Sequence, residues 1–567
     1  MISTALVLTA LVTISKQDYA PVFGDCTNDN LIREAVGLST QEQEWLVKRD
    51  AVTNPLLNEW LQNHNIDSET LETIFDSDRK PKIAAAAAGG GYRAMLSGAG
   101  MLAGLDSRTV DATESGLGGL LQASTYVSGL SGGNWMTGSL FFNDFVSVQD
   151  IMDEADNMSS IWDIDHMLFD PYGLLHPIKD ASRWDDIKDD VESKENAGFK
   201  TSITDLWGRA LAYEWFPSME RGGVNLTWSS LQDNTQFING EIPMPISVTV
   251  GRYPGTIIMS LNSTVFEVNP FELGSWDPSL RSFTNVKYLG TDVNNGVPTD
   301  TSKCVTGYDN AGFIMGTSSS LFNLDIQTVD DLGAPSFVKD AINYFLEKWD
   351  GTETDIALYK PNPFYGSQFY DSDFSGSLSG NDTLFLGDGT EDGENIPLVP
   401  LLQEDREIDF LFALDSSSDT SDDWPNGASL VNTYLRQFEK VGETISFPPV
   451  PSTEEIIAQG LNKKPVFFGC YETSVSDLAF TPPIVAYIAN ADYSYQSNTS
   501  TFKLKYSQEE RINMIENGIQ AITRNGLKDD SNYANCVACA IVKRSQDRLN
   551  LTPSTECQTC FDEYCWN

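Results

Sequence analysis

Apolar residues in this chain gather into short dense runs, and two of these runs end in glycine before a segment of helical character. The first, Pro81-Lys82-Ile83-Ala84-Ala85-Ala86-Ala87-Ala88, is entered from the polar residues 76–80. It leaves through Gly89-Gly90-Gly91 into Tyr92-Arg93-Ala94-Met95-Leu96. Alanine alone favours helix, but the glycines that follow argue for a buried small-residue strand, a glycine loop and then a helix. The second run, Ala123-Ser124-Thr125-Tyr126-Val127-Ser128, feeds Gly129-Leu130-Ser131-Gly132-Gly133, and residues 135–142 can start a helix. Two strand–glycine–helix units in series predict an α/β fold with a mainly parallel central sheet and flanking helices.

The remaining pattern fills in around that core. Residues 243–250 and 255–261 read as strands, and Ile408-Asp409-Phe410-Leu411-Phe412-Ala413-Leu414-Asp415 reads as a buried strand closed by Ser416-Ser417-Ser418-Asp419. Ile512, Met514, Ile515, Ile519 and Ile522 recur at helical spacing across 511–524. Ser39-Thr40-Gln41-Glu42 reads as a capping box opening a helix through Trp45, Leu46 and Arg49. Asp and Trp are dense across 143–235, where alternation is weak, and residues 350–395 read as loops. No internal repeat is evident.

Gly129-Leu130-Ser131-Gly132-Gly133 has the form of a nucleophile elbow, a strained strand-to-helix turn that exposes a serine hydroxyl. The alternative is a Gly/Ser turn without chemical consequence. A serine nucleophile needs a base and donors for the oxyanion. The chain has three histidines, His64, His166 and His176, all in its first third. The α/β-hydrolase order of Ser, acid, His would compress the acid between Ser131 and His166 or His176. A chymotrypsin-like order would use His64, but Leu130 stands where that family has Asp. Both triads are set aside, which leaves a carboxylate acting directly on serine, its pKa raised by burial. The acidic segment Leu386-Gly387-Asp388-Gly389-Thr390-Glu391-Asp392-Gly393-Glu394-Asn395-Ile396-Pro397-Leu398 is the candidate source. It lacks the twelve-residue calcium-loop pattern.

Composition narrows the setting. The 567 residues carry a formal charge of −45, so nucleic acid and anionic membrane surfaces would be repelled. Such a surface is compatible with an acidic working environment. Residues 1–15 are apolar and followed by Lys16-Gln17-Asp18, a length that suits a signal peptide better than a membrane span. Six N-x-[ST] sequons, at Asn157, Asn225, Asn262, Asn381, Asn498 and Asn550, add to an expectation of export and glycosylation. Of the eight cysteines, Cys536, Cys539, Cys557, Cys560 and Cys565 crowd the tail. Their C-x2-C spacing would suggest zinc in a cytosolic protein, but an oxidising compartment favours disulfides, at least one of them leaving the tail. No metal or organic cofactor is expected.

Three segments together resemble the fungal phospholipase B (lysophospholipase) family and, more distantly, the cytosolic phospholipase A and patatin lipase cores. They are Gly89-Gly90-Gly91-Tyr92-Arg93-Ala94-Met95, Gly129-Leu130-Ser131-Gly132-Gly133-Asn134-Trp135 and the Asp388-Gly389 segment through Leu398. Tyr19-Ala20-Pro21, Cys26 and the cysteine-rich end fit as well. The resemblance implies that Ser131 is the nucleophile, Asp388 its base, and the backbone around Gly90, Gly91 and Gly132 the oxyanion hole. Arg93 would meet substrate phosphate or steady the active-site charge. Thr390 stands where the family's Asp-Gly-Gly form has its second glycine, and Asp392 is an alternative base. The implied organisation is a signal peptide (1–15), a catalytic domain (16–530) and a Cys-rich tail (531–567). Residues 143–235 would be either a lid or funnel for the acyl chain or an ordinary packed insertion. The resemblance further implies a secreted enzyme that hydrolyses phospholipids and lysophospholipids at a transiently met membrane or micelle surface. The ending Tyr564-Cys565-Trp566-Asn567 does not read as a GPI-type tail. The rival readings are a secreted serine peptidase that requires one of the histidines and a non-catalytic glycoprotein.

Overall fold

A computed structural model of the chain describes residues 18–114, 116–153, 161–166, 168, 177–321 and 354–567. The expected signal peptide and Asn157 lie outside these residues, as does His176. Twelve of the strands join one sheet: β1 (Ile32–Glu34), β2 (Ile83–Ala87), β3 (Ser124–Leu130), β4 (Met244–Arg252), β5 (Thr264–Val268), β6 (Glu272–Ser275), β7 (Ser282–Asn285), β8 (Ala357–Tyr359), β9 (Leu384–Gly387), β10 (Phe410–Asp415), β11 (Val466–Phe468) and β12 (Ile484–Ala489). The centre runs β12-β10-β2-β3-β4, and every pairing within it is parallel. Antiparallel strands extend it on both sides: β11 on β12, and β5, β6, β7 and β1 in turn beyond β4. The parallel sheet is therefore the core of a larger mixed sheet. Its strands are buried throughout, as central parallel strands covered on both faces must be.

The alanine run forms β2, since its flanking glycines stop it from propagating as a helix. The helices that surround or brace the site are α1 (Thr40–Gln62), α2 (Gly91–Ala103), α3 (Gly132–Phe142), α4 (Ile203–Trp215), α5 (Ala311–Thr317), α6 (Gln508–Thr523) and α7 (Tyr533–Leu549). Helix α2 packs backbone against backbone on α6. A Cβ on Gly100 would overlap the Ile515 carbonyl, and one on Gly518 would overlap that of Ser97.

Three expectations are corrected. Ser39 caps α1 by accepting the Glu42 N–H at 3.1 Å, but the Glu42 carboxylate does not return to close a capping box. It is drawn instead into the core, where it accepts from Arg406 Nε at 3.0 Å and from the Tyr126 hydroxyl at 2.8 Å. Residues 255–261 form no strand. β4 runs on to Arg252 and the next strand begins at Thr264, leaving the apolar run in the connecting loop. Residues 350–395 are not all loop, because β8 and β9 form within them and pair with each other.

All eight cysteines are bridged: Cys26–Cys304, Cys470–Cys565, Cys536–Cys560 and Cys539–Cys557. The last two pairs tie α7 to a final helix, α8 (Thr555–Tyr564), by cysteines three residues apart on each helix. Cys470–Cys565 fastens this hairpin to the body. Beside it the Trp566 N–H donates to the Phe467 carbonyl at 2.9 Å, so the tail covers the exposed edge of β11. Within 143–235, Trp162, Trp215 and Trp228 are buried, and Trp215 lies 5.8 Å from Trp135, centroid to centroid.

Candidate active site

Strand β4 brings the site together. Its first half pairs with β3, Leu130 opposite Val248, and its last residues pair antiparallel with β9, Gly387 opposite Val250. Strand β5 occupies the other edge of β4 over Ser247 to Gly251, so β3 and β9 share one edge and meet with their C-terminal ends converging. The residue after β3 is Ser131 and the residue after β9 is Asp388. Two positions more than 250 residues apart in the chain thus become neighbours at one point of the sheet.

Ser131 has φ 49° and ψ −120°, a conformation that L-residues rarely adopt and that strand-to-helix elbows impose. Close packing demands the glycines after it. A Cβ on Gly132 would overlap the Gly91 carbonyl, and one on Gly133 would overlap that of Ala87. The elbow therefore rests directly on the glycine loop, where Gly90 and Gly91 have φ 133° and 61°. The Gly89 N–H is spent on the Asn395 carbonyl at 3.0 Å. Among the described residues, the N–H groups of Gly90, Gly91 and Gly132 donate to no acceptor. Free backbone donors of this kind at helix N-termini suit a developing negative charge.

Asp388 is fully buried. Its Oδ1 accepts the Thr390 N–H at 2.8 Å, while Oδ2 makes no hydrogen bond. Burial pushes its carboxyl up to about 6, against the Thr390 N–H and the nearby Ser131 hydroxyl, which pull it down. Thr390 needs no glycine at its position: its φ is not positive, and it serves Asp388 through its backbone. Asp392 lies in a different cluster. Its Oδ1 accepts the Glu394 N–H at 2.7 Å and its Oδ2 lies 3.8 Å from Arg436, which also pairs with Glu394 and Asp277. Burial, followed by the Glu394 charge, holds the Asp392 carboxyl well above the usual range.

Arg93, on the first turn of α2, is buried and held by the Ser416 carbonyl at 3.0 Å and the Thr499 carbonyl at 2.6 Å. Its Nη2 has no partner and lies over Gly90. Burial lowers its pKa, countered by Tyr506 and nearby aspartates. An unspent guanidinium donor thus stands beside the glycine loop. Neither described histidine hydrogen-bonds to Ser131 or Asp388: His64 stacks on Trp60 at 3.9 Å and donates from Nδ1 to the Trp60 carbonyl, and His166 is exposed.

One tether has no sequence signature. The residues following α5, Ser318-Ser319-Ser320, hold both chemical groups. The Ser131 N–H donates to the Ser318 carbonyl at 3.1 Å and its hydroxyl at 3.0 Å, and the Asp388 N–H donates to the Ser320 carbonyl at 3.0 Å. Ser319 Oγ accepts the indole N–H of Trp135 and of Trp207. A Thr-Ser-Ser-Ser run at a helix end gives no hint of this in sequence. Asn395, inside the acidic segment, likewise clips the Asp388 turn to the glycine loop by donating to the Gly89 carbonyl at 3.0 Å. Of the sequons, Asn225, Asn262 and Asn550 are exposed, and Asn381 and Asn498 are half-buried.

The relatives agree with this architecture. Residues 83–567 match the family described as the lysophospholipase catalytic domain. "Lysophospholipase 3" of Saccharomyces cerevisiae is 52% identical over 557 residues, which cover 97% of this chain and 81% of that protein. "Lysophospholipase 1" of the same yeast is 51% identical over 578 residues, covering 100% and 87%. Human GIVD cytosolic phospholipase A2 shares the fold, with a TM-score of 0.66 over 92% of this chain and 67% of that one, at 17% identity. Its complex with methyl gamma-linolenyl fluorophosphonate gives a TM-score of 0.62 at 18% identity. The α/β chain with a parallel-centred sheet is a member of the lysophospholipase (phospholipase B) family and, with it, a lipid ester hydrolase.

Proposed function

We propose that the chain is a secreted lysophospholipase/phospholipase B that works through a dyad of Ser131 and Asp388. The observation that carries the reading is the convergence of β3 and β9, which sets a strained serine beside a buried carboxylate with one free oxygen. Asp388 takes the hydroxyl proton as Ser131 Oγ attacks the ester carbonyl of a phospholipid or lysophospholipid. The N–H groups of Gly90, Gly91 and Gly132 hold the oxyanion of the tetrahedral intermediate, and the protonated Asp388 returns its proton to the departing glyceryl oxygen. Water, deprotonated by Asp388, then attacks the acyl-serine; as the intermediate collapses, Asp388 gives that proton to Ser131 Oγ and the fatty acid is released. The free Nη2 of Arg93 is the donor available to a substrate phosphate. Secretion is supported by four disulfides, which persist in oxidising compartments. The exposed sequons at Asn225 and Asn550 support glycosylation on that route. Ser131→Ala should abolish release of fatty acid from lysophosphatidylcholine while leaving the melting temperature in place. Full activity in that variant would overturn the mechanism.

The dyad also sets the pH response. Asp388 must be ionised to accept a proton, so kcat/KM should rise with pH through a midpoint of about 6. Stability runs the other way. A carboxyl whose folded pKa lies above its unfolded value contributes most below the unfolded pKa, and that contribution is lost as pH rises through the folded one. Asp388, Asp277 and Asp190, each raised to about 6 by burial, share that sign. The melting temperature should therefore be higher near about pH 5 than near about pH 7.5. A calorimetric scan series checks this, and a melting temperature that climbs towards neutrality would contradict it.

A further inference from the structure

The apolar run that forms no strand has another property: its tip is in solvent. Ile257 and Ile258 are 58% and 71% exposed, in the loop that leaves the C-terminal end of β4. The base of this loop is fixed next to the dyad. Met259 turns inward, with its Cε 2.8 Å from where a Cβ on Gly387 would stand, one residue before Asp388. The carbonyls of Leu261 and Ser263 accept from Arg436 at 3.0 and 2.9 Å.

On the other side of the site, a second loop carries Phe502, 55% exposed. Its base is fixed as well: the Thr501 carbonyl lies over Gly91, the Thr499 carbonyl holds Arg93, and Thr499 shares a hydrogen bond with the buried Tyr506. Large apolar side chains thus stand in solvent on two sides, the first loop anchored against Gly387, the residue before Asp388, and the second on Gly91 and Arg93. The first loop, residues 253–263, contains no Asp, Glu, Lys or Arg. In the second, Lys503 follows Phe502, and its ammonium is paired with Glu510 at 2.5 Å.

We propose that these two loops form the lipid-docking face, with Ile257, Ile258 and Phe502 entering the surface of an aggregated phospholipid substrate. The proposal rests on Ser131 as the reaction centre. Exposed aliphatic and aromatic tips are costly in water and favourable in the acyl region, and the cation beside Phe502, on Lys503, can stay at the headgroup level while the ring inserts. The occupant is a zwitterionic surface. With a net charge of −45 the molecule is repelled by anionic lipid, so attachment has to come from apolar insertion. Docking by loops rooted on both sides of the dyad would also present the ester to Ser131 as the lipid binds.

The test uses the full chain. In a Ser131→Ala background, which leaves lipid intact, sedimentation with sucrose-loaded phosphatidylcholine vesicles should show bound protein falling about tenfold in Ile257→Asp/Ile258→Asp and again in Phe502→Asp. With Ser131 present, the same substitutions should slow hydrolysis of vesicular phosphatidylcholine by a similar factor. They should leave hydrolysis of a monomeric short-chain ester and the melting temperature unchanged. Unaltered vesicle binding would overturn the proposal. So would equal loss on both substrates, or tighter binding to phosphatidylglycerol vesicles than to phosphatidylcholine. Vesicle binding is measured without turnover, so an error in assigning Ser131 would show only in the hydrolysis arm.

Discussion

Asparagine in place of Asp388 should lower kcat/KM on lysophosphatidylcholine by about a thousandfold or more, the scale expected when the base of a nucleophile–base unit is removed. The side chains are isosteric, and asparagine keeps the oxygen that accepts the Thr390 N–H, so the turn has no cause to unfold. Burial makes ionisation of Asp388 costly, and a neutral amide escapes that cost. The variant should therefore melt at the same temperature as the parent at neutral pH or above it, losing activity without losing stability. Asp392→Asn is the paired control. Asp392 is held well above the usual carboxylate range within the Arg436 cluster, and an amide resembles its protonated form. This variant should keep most of the activity. Equal and severe losses in the two would remove the distinction between them.

The second large effect is expected at Gly132. A methyl group there would overlap the Gly91 carbonyl, backbone against backbone, with no flexible side chain to give way. Either the elbow or the glycine loop must shift, which moves the N–H of Gly132 relative to those of Gly90 and Gly91. Loss of a single oxyanion donor costs about a hundred- to a thousandfold in kcat, and Gly132→Ala should fall in that range with KM little changed. Gly98, within α2, is the matched control. A Cβ there meets only Met136 Sδ at 3.8 Å, so Gly98→Ala should retain activity and gain about 0.5–1 kcal/mol from the better helix former. Steady-state kinetics and thermal melts on the two variants separate a catalytic glycine from a helical one.

The legibility of the fold and site in the sequence followed the range of the interactions involved. The elbow at Ser131, the loop at Gly89 to Gly91 and the adjoining arginine could be read because glycines needed for positive φ and close approach sit within a few residues of the groups they serve. Overcrowding of cysteines in the tail forced a bridge out of it, and Cys470 supplies the partner. What could not be read depends on distant segments. Glu42 leaves its cap because Arg406, 364 residues away, offers it a buried cation. The meeting of Ser131 with Asp388 arises because two strands divide one edge of β4, and no local pattern encodes that division. The serines at 318–320 work mainly through their carbonyls, which any residue has. The isoleucines at 257–258 mislead a periodicity argument because an apolar run is read as buried, whereas these two face solvent.

Ser131, activated by Asp388, should be the residue that is acylated. The most direct test is to react the protein with an alkyl fluorophosphonate and map the modified peptide by mass spectrometry, with the Asp388→Asn and Asp392→Asn variants in parallel. A single adduct on Ser131 is predicted, formed slowly or not at all in Asp388→Asn and at the parental rate in Asp392→Asn. An adduct on another residue, or undiminished labelling of Ser131 in Asp388→Asn, would contradict the dyad.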